Sequence, residues 1–206
     1  ADQFDSKKKV YQKQHLLTPY SKNIERFAWW DEGFTEQELD LLQQEAKQSC
    51  EEAYIGGGNN TVKDNNVRRT KLNWIHKNSD SVWVFKKLAH IVSNINAEHF
   101  GFELTGFGEP IQLCNYDETH KSHYRWHTDF AAAGPSRKLS IVLQLSDPKD
   151  YEGGQLQLLT NSDPTNIPKK RGLLTIFPAY TLHQVTPVIK GTRQTLVAWI
   201  SGPPFK

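Results

Sequence analysis

His123-Tyr124-Arg125-Trp126-His127-Thr128-Asp129-Phe130 sets two histidines and an aspartate among three aromatics within eight positions, and its backbone period decides what the chain can be. On a helix, His123 and His127 would share a face at i,i+4 and could chelate zinc, with Asp129 turned away. On a strand, positions 123, 125, 127 and 129 project to one side, so His127 and Asp129 can converge on one ion with His123 as a neighbour. Tyr124, Trp126, Thr128 and Phe130 favour the strand. The glutamate that a helical zinc-protease motif places after its first histidine is Tyr124 here. The working candidate is therefore His127-x-Asp129.

Around this stretch, from residue 102 onward, short β-rich runs alternate with Gly, Pro, Asp and Asn. Strands are expected near 102–107, 110–116, 122–127, 139–145, 154–159, 172–177, 182–187 and 194–200, a pattern that suggests a sandwich or jelly roll. Upstream, Thr35-Glu36-Gln37-Glu38 has the form of a capping box, followed by Leu39, Leu42 and Ala46 at helical spacing. It predicts a helix over 35–53. A second helix is expected over 80–99, because Phe85, Leu88, Val92 and Ile95 form one stripe. Between them, the polar run from Gly56 to Asn66 reads as a loop or lid. Gly153-Gly154 reads as a turn requirement, since no helix and lysine follow it as in a phosphate cradle.

The 206 residues fit one domain, with 1–101 as an N-terminal tail, helices and possible lid, and 102–206 as a jelly-roll core. The fold class is α+β, mainly β: a double-stranded β-helix buttressed by N-terminal helices. Twenty-five basic and 23 acidic residues leave a net charge of +2, which gives no general case for a nucleic-acid or membrane surface. Lys7-Lys8-Lys9 reads as a solvated tail cluster. Cys50 and Cys114 lack the spacing of a zinc or redox site, so no disulfide framework is expected. With no apolar run of spanning length and no signal-like start, a cytoplasmic protein is expected.

An isolated H-x-D carries little weight, since this composition supplies about 0.4 such triplets by chance. It gains weight from Phe177-Pro178 through His183-Gln184-Val185-Thr186-Pro187-Val188, followed by Gly191-Thr192-Arg193. Two histidines and a carboxylate leave about three positions of an octahedral ion open, which suits non-haem Fe(II). Zinc, with closed tetrahedral sites or one open position, fits less well. An arginine ten residues after His183 offers a planar fork for a carboxylate.

From Ile111 to Pro203 the chain resembles the catalytic core of the Fe(II)/2-oxoglutarate-dependent dioxygenases, specifically the prolyl 4-hydroxylase branch, including its oxygen-sensing and microbial members. The motifs are Tyr116 with Tyr124 and His127-x-Asp129, Leu139-Ser140 to Asp147-Pro148, Tyr151-Glu152-Gly153-Gly154-Gln155-Leu156, the His183 segment, and Arg193 leading to Trp199. The resemblance implies His127, Asp129 and His183 as iron ligands and Arg193 on the distal carboxylate of 2-oxoglutarate, a place some members give to lysine. Tyr124 and Tyr116 would lie near the co-substrate, and Trp199 near the iron or substrate. A weaker likeness covers Arg68-Arg69-Thr70-Lys71-Leu72-Asn73-Trp74-Ile75, with Thr70 where oxygen-sensing enzymes have an acid; Arg68, Arg69 and Trp74 are its substrate candidates.

The reaction so implied consumes 2-oxoglutarate and O2, releases succinate and CO2, and hydroxylates a prolyl residue of a peptide or protein, with ascorbate as a reductant. The protein would be a monomer or weak homodimer with neither nucleic-acid nor membrane partner. Other readings keep the cofactor but change the substrate to a free amino acid, another small molecule or an alkylated base. The last is disfavoured because no second arginine follows Arg193. A jelly-roll binding module without catalysis is the reading from another class. The remaining histidines, His15, His76, His90, His99, His120 and His123, read as surface or structural.

Overall fold

The computed structural model describes residues 24–48, 51–53, 62–130 and 136–205. In chain order its elements are β1 (Ala28–Trp30), α1 (Glu36–Lys47), β2 (Glu51–Glu52), β3 (Arg68–Arg69), β4 (Lys71–Ile75), α2 (Val82–Ile95) and β5 (Ile111–Asp117). Then follow β6 (His123–His127), β7 (Arg137–Gln144), β8 (Tyr151–Gly153), β9 (Leu156–Leu159), β10 (Thr165–Asn166), β11 (Leu174–Pro178), β12 (Leu182–Val185) and β13 (Val188–Ser201). The larger sheet has the order β1-β11-β7-β13-β5-β4-β2, with β8 paired to the first residues of β13. The smaller one has the order β10-β9-β12-β6-β3. Two antiparallel sheets face one another in a jelly roll, with the helices on the outer face of the larger.

Alternation along the larger sheet assigns its residues to two interiors. Ile111 and Leu113, Leu139, Ile141 and Leu143, Leu174 and Ile176, and Leu196, Ala198 and Ile200 pack against the helices. From the helices come Leu39, Leu42, Ala46, Val84, Phe85, Leu88, Ile91, Val92 and Ile95, the 3.6-residue stripes of both. The opposite face sends Cys114, Tyr116, Val142 and Phe177 towards Leu156, Leu158 and Val185 of the smaller sheet. Buried on both faces, these strands read as near-continuous apolar runs. The buried polar residues that interrupt them, Gln112, Ser140, Gln144, Thr175, Arg193 and Thr195, occupy the alternate positions that face the smaller sheet, save for the helix-side Gln194.

The capping box is formed: Glu38 N donates to Thr35 Oγ1 at 3.2 Å and Thr35 N to Glu38 Oε2 at 2.8 Å. The helix it starts is shorter than expected, because Glu51 and Glu52 pair in strand register with Leu72 and Lys71. The second helix gives way at Asn96 to a single π-type turn that ends on Gly101 at φ 68°. Its Asn96 side chain bonds both the amide and carbonyl of Phe102. With those groups taken, the expected strand at 102–107 reduces to one bridge, Gly106 to Ser201. The other seven expected strands form, β13 beginning earlier and running longer than the spacing suggested.

Cys114 is a buried free thiol; Cys50, Lys7 to Lys9, His15 and residues 56–61 of the proposed lid lie outside the described residues. No helix among the described residues is long and apolar enough to cross a membrane.

Leu41 and Leu42 test this packing as neighbours, since one is 56% exposed and the other 2%. Leu42→Ala should lower unfolding stability by about 2–5 kcal/mol, and Leu41→Ala by less than about 0.5 kcal/mol. Denaturant midpoints of the two variants measure the difference; equal losses would contradict the helix orientation.

Candidate active site

β6 and β12 lie side by side with His127 directly opposite His183. Three residues further back, Tyr124 pairs with Val185, so β6 spends one residue more than β12 over the same interval. This bulge resets the alternation. It exposes both Arg125 and Trp126 and brings Tyr124 onto the side of His127, their rings stacked at 3.4 Å with 15° between planes. His123 is accordingly no neighbour of the ligand set: its ring nitrogens contact the Lys121 and Asn66 carbonyls. Asp129 lies past the end of β6, where its amide and that of Phe130 both donate to the Ala179 carbonyl at 2.9 and 3.0 Å. That anchor ties the segment to the turn that precedes His183.

His127, Asp129 and His183 converge, their ligand atoms all within 4.8 Å of one another. Nε2 of His127 is 3.6 Å from Asp129 Oδ1, and Nε2 of His183 is 3.5 Å from Oδ2. Each Nδ1 faces a backbone carbonyl two residues earlier, Arg125 at 2.6 Å and Thr181 at 2.9 Å. Carbonyls only accept, so both rings are set to donate from Nδ1 and to offer a lone pair at Nε2. Burial, then the neighbouring His183, pushes His127 down to about 3, outweighing the pull of Asp129. Burial pushes the Asp129 carboxyl up, but both histidines and the donors Ser140 and Trp199 hold it below its ordinary value. A neutral imidazole and an ionised carboxylate are the forms that ligate a metal, and a buried, three-sided N,N,O set fits Fe(II).

Asp129 Oδ2 accepts from Ser140 Oγ at 2.7 Å and from Trp199 Nε1 at 2.9 Å. Those donors are cross-strand partners on β7 and β13. Trp199 thus acts through the carboxylate, and the face of its ring carries Arg137 at 3.8 Å. Ser140 was visible in the sequence only as part of a motif, with no signal for this bond.

Arg193, 2% exposed, sits further along the same face of β13, opposite Tyr116 in register. Its guanidinium lies 5.4 Å from the Tyr116 ring. No carboxylate among the described residues pairs with it. It lines a cavity with Gln144, Tyr151, Gly154, Leu156 and Lys169. Gln144 Nε2 donates to the Tyr151 hydroxyl at 2.9 Å, which frees the phenolic proton for another acceptor in that cavity. Gly154, at φ 54°, has room for no more: a Cβ there would meet Arg193 Cδ and Val188 Cγ2, each at 3.0 Å. Tyr151, Gln144 and Lys169 are the members of this end that sequence reasoning missed, since an ordinary core tyrosine looks the same in a sequence. Of the three upstream candidates, Arg68 is buried in the barrel, Arg69 is exposed and Trp74 is half-buried.

Residues 111–201 match the family model of the 2OG-Fe(II) oxygenase superfamily. A PKHD-type hydroxylase of Prochlorococcus marinus is 42% identical over 78 residues, covering 37% of this chain and 35% of its own. One from Crocosphaera subtropica is 30% identical over 120 residues, covering 56% and 54%. The chain therefore spans between about a third and just over half of the length of these curated relatives. Among solved structures, a prolyl-4-hydroxylase of Pseudomonas putida superposes with a TM-score of 0.67 at 17% identity, over 87% of this chain and 94% of that one. A prolyl hydroxylase from Trichoplax adhaerens, bound to a peptide fragment of the hypoxia inducible factor oxygen degradation domain, gives 0.69 at 18% over 97% and 93%. At those identities the likeness is one of fold.

Ser140→Ala should weaken metal binding roughly 10–100-fold, measured by competition with a chelator; an unchanged affinity would remove Ser140 from the site's support. For His127, the unfolded chain takes a proton near pH 6.5 that the fold refuses until about 3. The stability of the metal-free protein should therefore fall as pH drops through that window. Thermal midpoints from pH 7 to 4 should decline in wild type and decline less in His127→Asn.

Proposed function

We propose that this chain, whose residues 111–201 form a 2OG-Fe(II) oxygenase domain, hydroxylates prolyl residues in a peptide or protein at the expense of 2-oxoglutarate and O2. The observation that carries this reading is the pairing of two features inside the barrel: a converging His-Asp-His set, and on the barrel face of β13 a buried guanidinium without a carboxylate partner among the described residues, lining a cavity of its own. A metal-ligand set and a spare carboxylate receptor in one barrel suit a co-substrate with an acid at each end.

In this reading His127, Asp129 and His183 hold Fe(II), and the Nδ1 contacts keep both imidazoles in the ligating tautomer. Iron, when bound with 2-oxoglutarate, supplies O2 activation coupled to oxidative decarboxylation, giving succinate, CO2 and a hydroxylated C–H bond. Arg193 takes the distal carboxylate through its fork, with the Tyr151 hydroxyl as a further donor. Val142, Leu156 and Leu173 line the same cavity and exclude water from the bound chain. Ser140 and Trp199 keep Asp129 from rotating, so the carboxylate would stay presented to the metal together with the two imidazoles.

The substrate side is aromatic. Phe130 follows Asp129 directly, Tyr180 sits in the turn before His183, and Phe205 lies between them, with ring centroids 6.2 Å and 5.4 Å away. Phe130 and Tyr180 are each 48% exposed and Phe205 38%. Flat exposed rings beside a metal suit the preformed, low-entropy backbone of a proline-containing segment. That the neighbouring folds include named prolyl hydroxylases, one with a peptide bound, supports the same reading.

The test is mass spectrometry of prolyl peptides and of proteins incubated with the protein, Fe(II) and 2-oxoglutarate, first without and then with oxygen. An oxygen-dependent gain of one oxygen atom on proline, abolished in Asp129→Ala, is expected. Succinate formation with no modified proline would move the chemistry to another substrate, and no succinate from iron-loaded protein would overturn the dioxygenase reading.

A further inference from the structure

The barrel holds a second buried guanidinium. Arg68, 8% exposed, lies on β3 opposite Tyr124 of β6. Its Cζ stands 4.5 Å from the Tyr124 ring, the ring that stacks on His127. Its head donates from Nη2 to Gln112 Oε1 at 2.7 Å and has the Cys114 side chain within hydrogen-bonding reach, while Nε is buried with no partner at all. The groups facing it are Tyr116, Cys114, Tyr124 and Asp129.

None of these neutralises it. Burial pushes the Tyr116, Cys114 and Tyr124 protons to higher pH, so all three are uncharged near neutrality. Asp129 is taken by Ser140, Trp199 and the two histidines. Among the described residues no carboxylate pairs with Arg68, and segments 54–61 and 131–135 contain no acidic residue. An arginine cannot shed its proton to escape burial. A buried cation left unpaired is costly, and such costs are retained where a ligand repays them.

We propose that Arg68, with Gln112 as its orienting partner, is a second carboxylate receptor, beside the Tyr124 ring that stacks on His127 and distinct from Arg193. The inference rests on the dioxygenase reading above. A carboxylate here has two sources: the iron-side acid of 2-oxoglutarate, or an acid carried by the hydroxylated substrate, such as the free carboxylate of a single amino acid.

Anaerobic calorimetry with the Mn(II)-loaded protein separates these sources. Wild type, Arg68→Gln and Arg68→Lys are titrated with 2-oxoglutarate, and the saturated complexes then with free L-proline and with L-prolinamide. If the co-substrate is the source, Arg68→Gln weakens 2-oxoglutarate at least tenfold and Arg68→Lys less. If the substrate is the source, 2-oxoglutarate binds within twofold of wild type, while a wild-type preference for L-proline over L-prolinamide disappears. Ligand-free thermal midpoints supply the control: an unpaired cation predicts that Arg68→Gln melts no lower than wild type. A variant that melts several degrees lower, or one that binds every probe as wild type does, overturns the inference. Failure of wild type itself to bind 2-oxoglutarate would overturn the dioxygenase reading and this inference with it.

Discussion

The register of β13 between β5 and β7 is the constraint on which the site depends. Its fourteen residues present Leu196, Ala198 and Ile200 to the helices, and Arg193, Thr195, Val197 and Trp199 to the barrel. A slip of one residue would exchange these sets, placing a guanidinium against Leu42 and Leu88 and a leucine beside Asp129. The apolar core thus does more than hold the sheet to the helices. By making one register far better than its neighbours, it places Trp199 opposite Ser140 and Arg193 opposite Tyr116. Arg193 and Trp199 are both placed by a pairing whose stability comes from the other face of the sheet.

Within that frame, the geometry of the ligand set is a matter of satisfied polar atoms. Asp129 is buried and past the end of its strand, where a free carboxylate would rotate or take up a proton. The two donors on Oδ2 and the two amides on Ala179 remove that freedom. The histidines are oriented more locally, each by a carbonyl two residues back on its own chain. Such support costs no distant residue, which is why two imidazoles can be placed by short strands alone.

How much of this is legible in the sequence depends on whether a signal is local. The capping box and the helical stripes of Leu39, Leu42, Leu88 and Val92 lie within a few turns and were readable. So was the convergence of His127, Asp129 and His183, because each stands in a motif legible along the chain. The bulge in β6 was not, since strict alternation puts His123 with His127 and it is Tyr124 that arrives there. The end of α1 depended on a distant partner, Leu72 for Glu51, and the loss of a strand at 102–107 on an Asn96 side chain that no periodicity signals. The surroundings of Tyr151 were illegible because Arg193, which shares its cavity, is 42 residues away in sequence and no pattern marks the Gln144 bond to its hydroxyl.

The two buried guanidiniums differ in what the fold does around them. Arg193 is enclosed by parts shaped to it: Gly154 at a left-handed φ where no side chain fits, and a tyrosine whose hydroxyl is turned by Gln144. Arg68 has one amide oxygen, a neutral thiol and an aromatic face, and an Nε with nothing to bond. A chain selected for stability alone would replace such a group with an apolar one of similar volume, a change that often costs nothing or stabilises. Local preference agrees with the global fold in the capping box of α1, in the helical stripes and in the sheet interiors of the described residues. The breach of that agreement beside the His-Asp-His set is what the proposed carboxylate at Arg68 would account for.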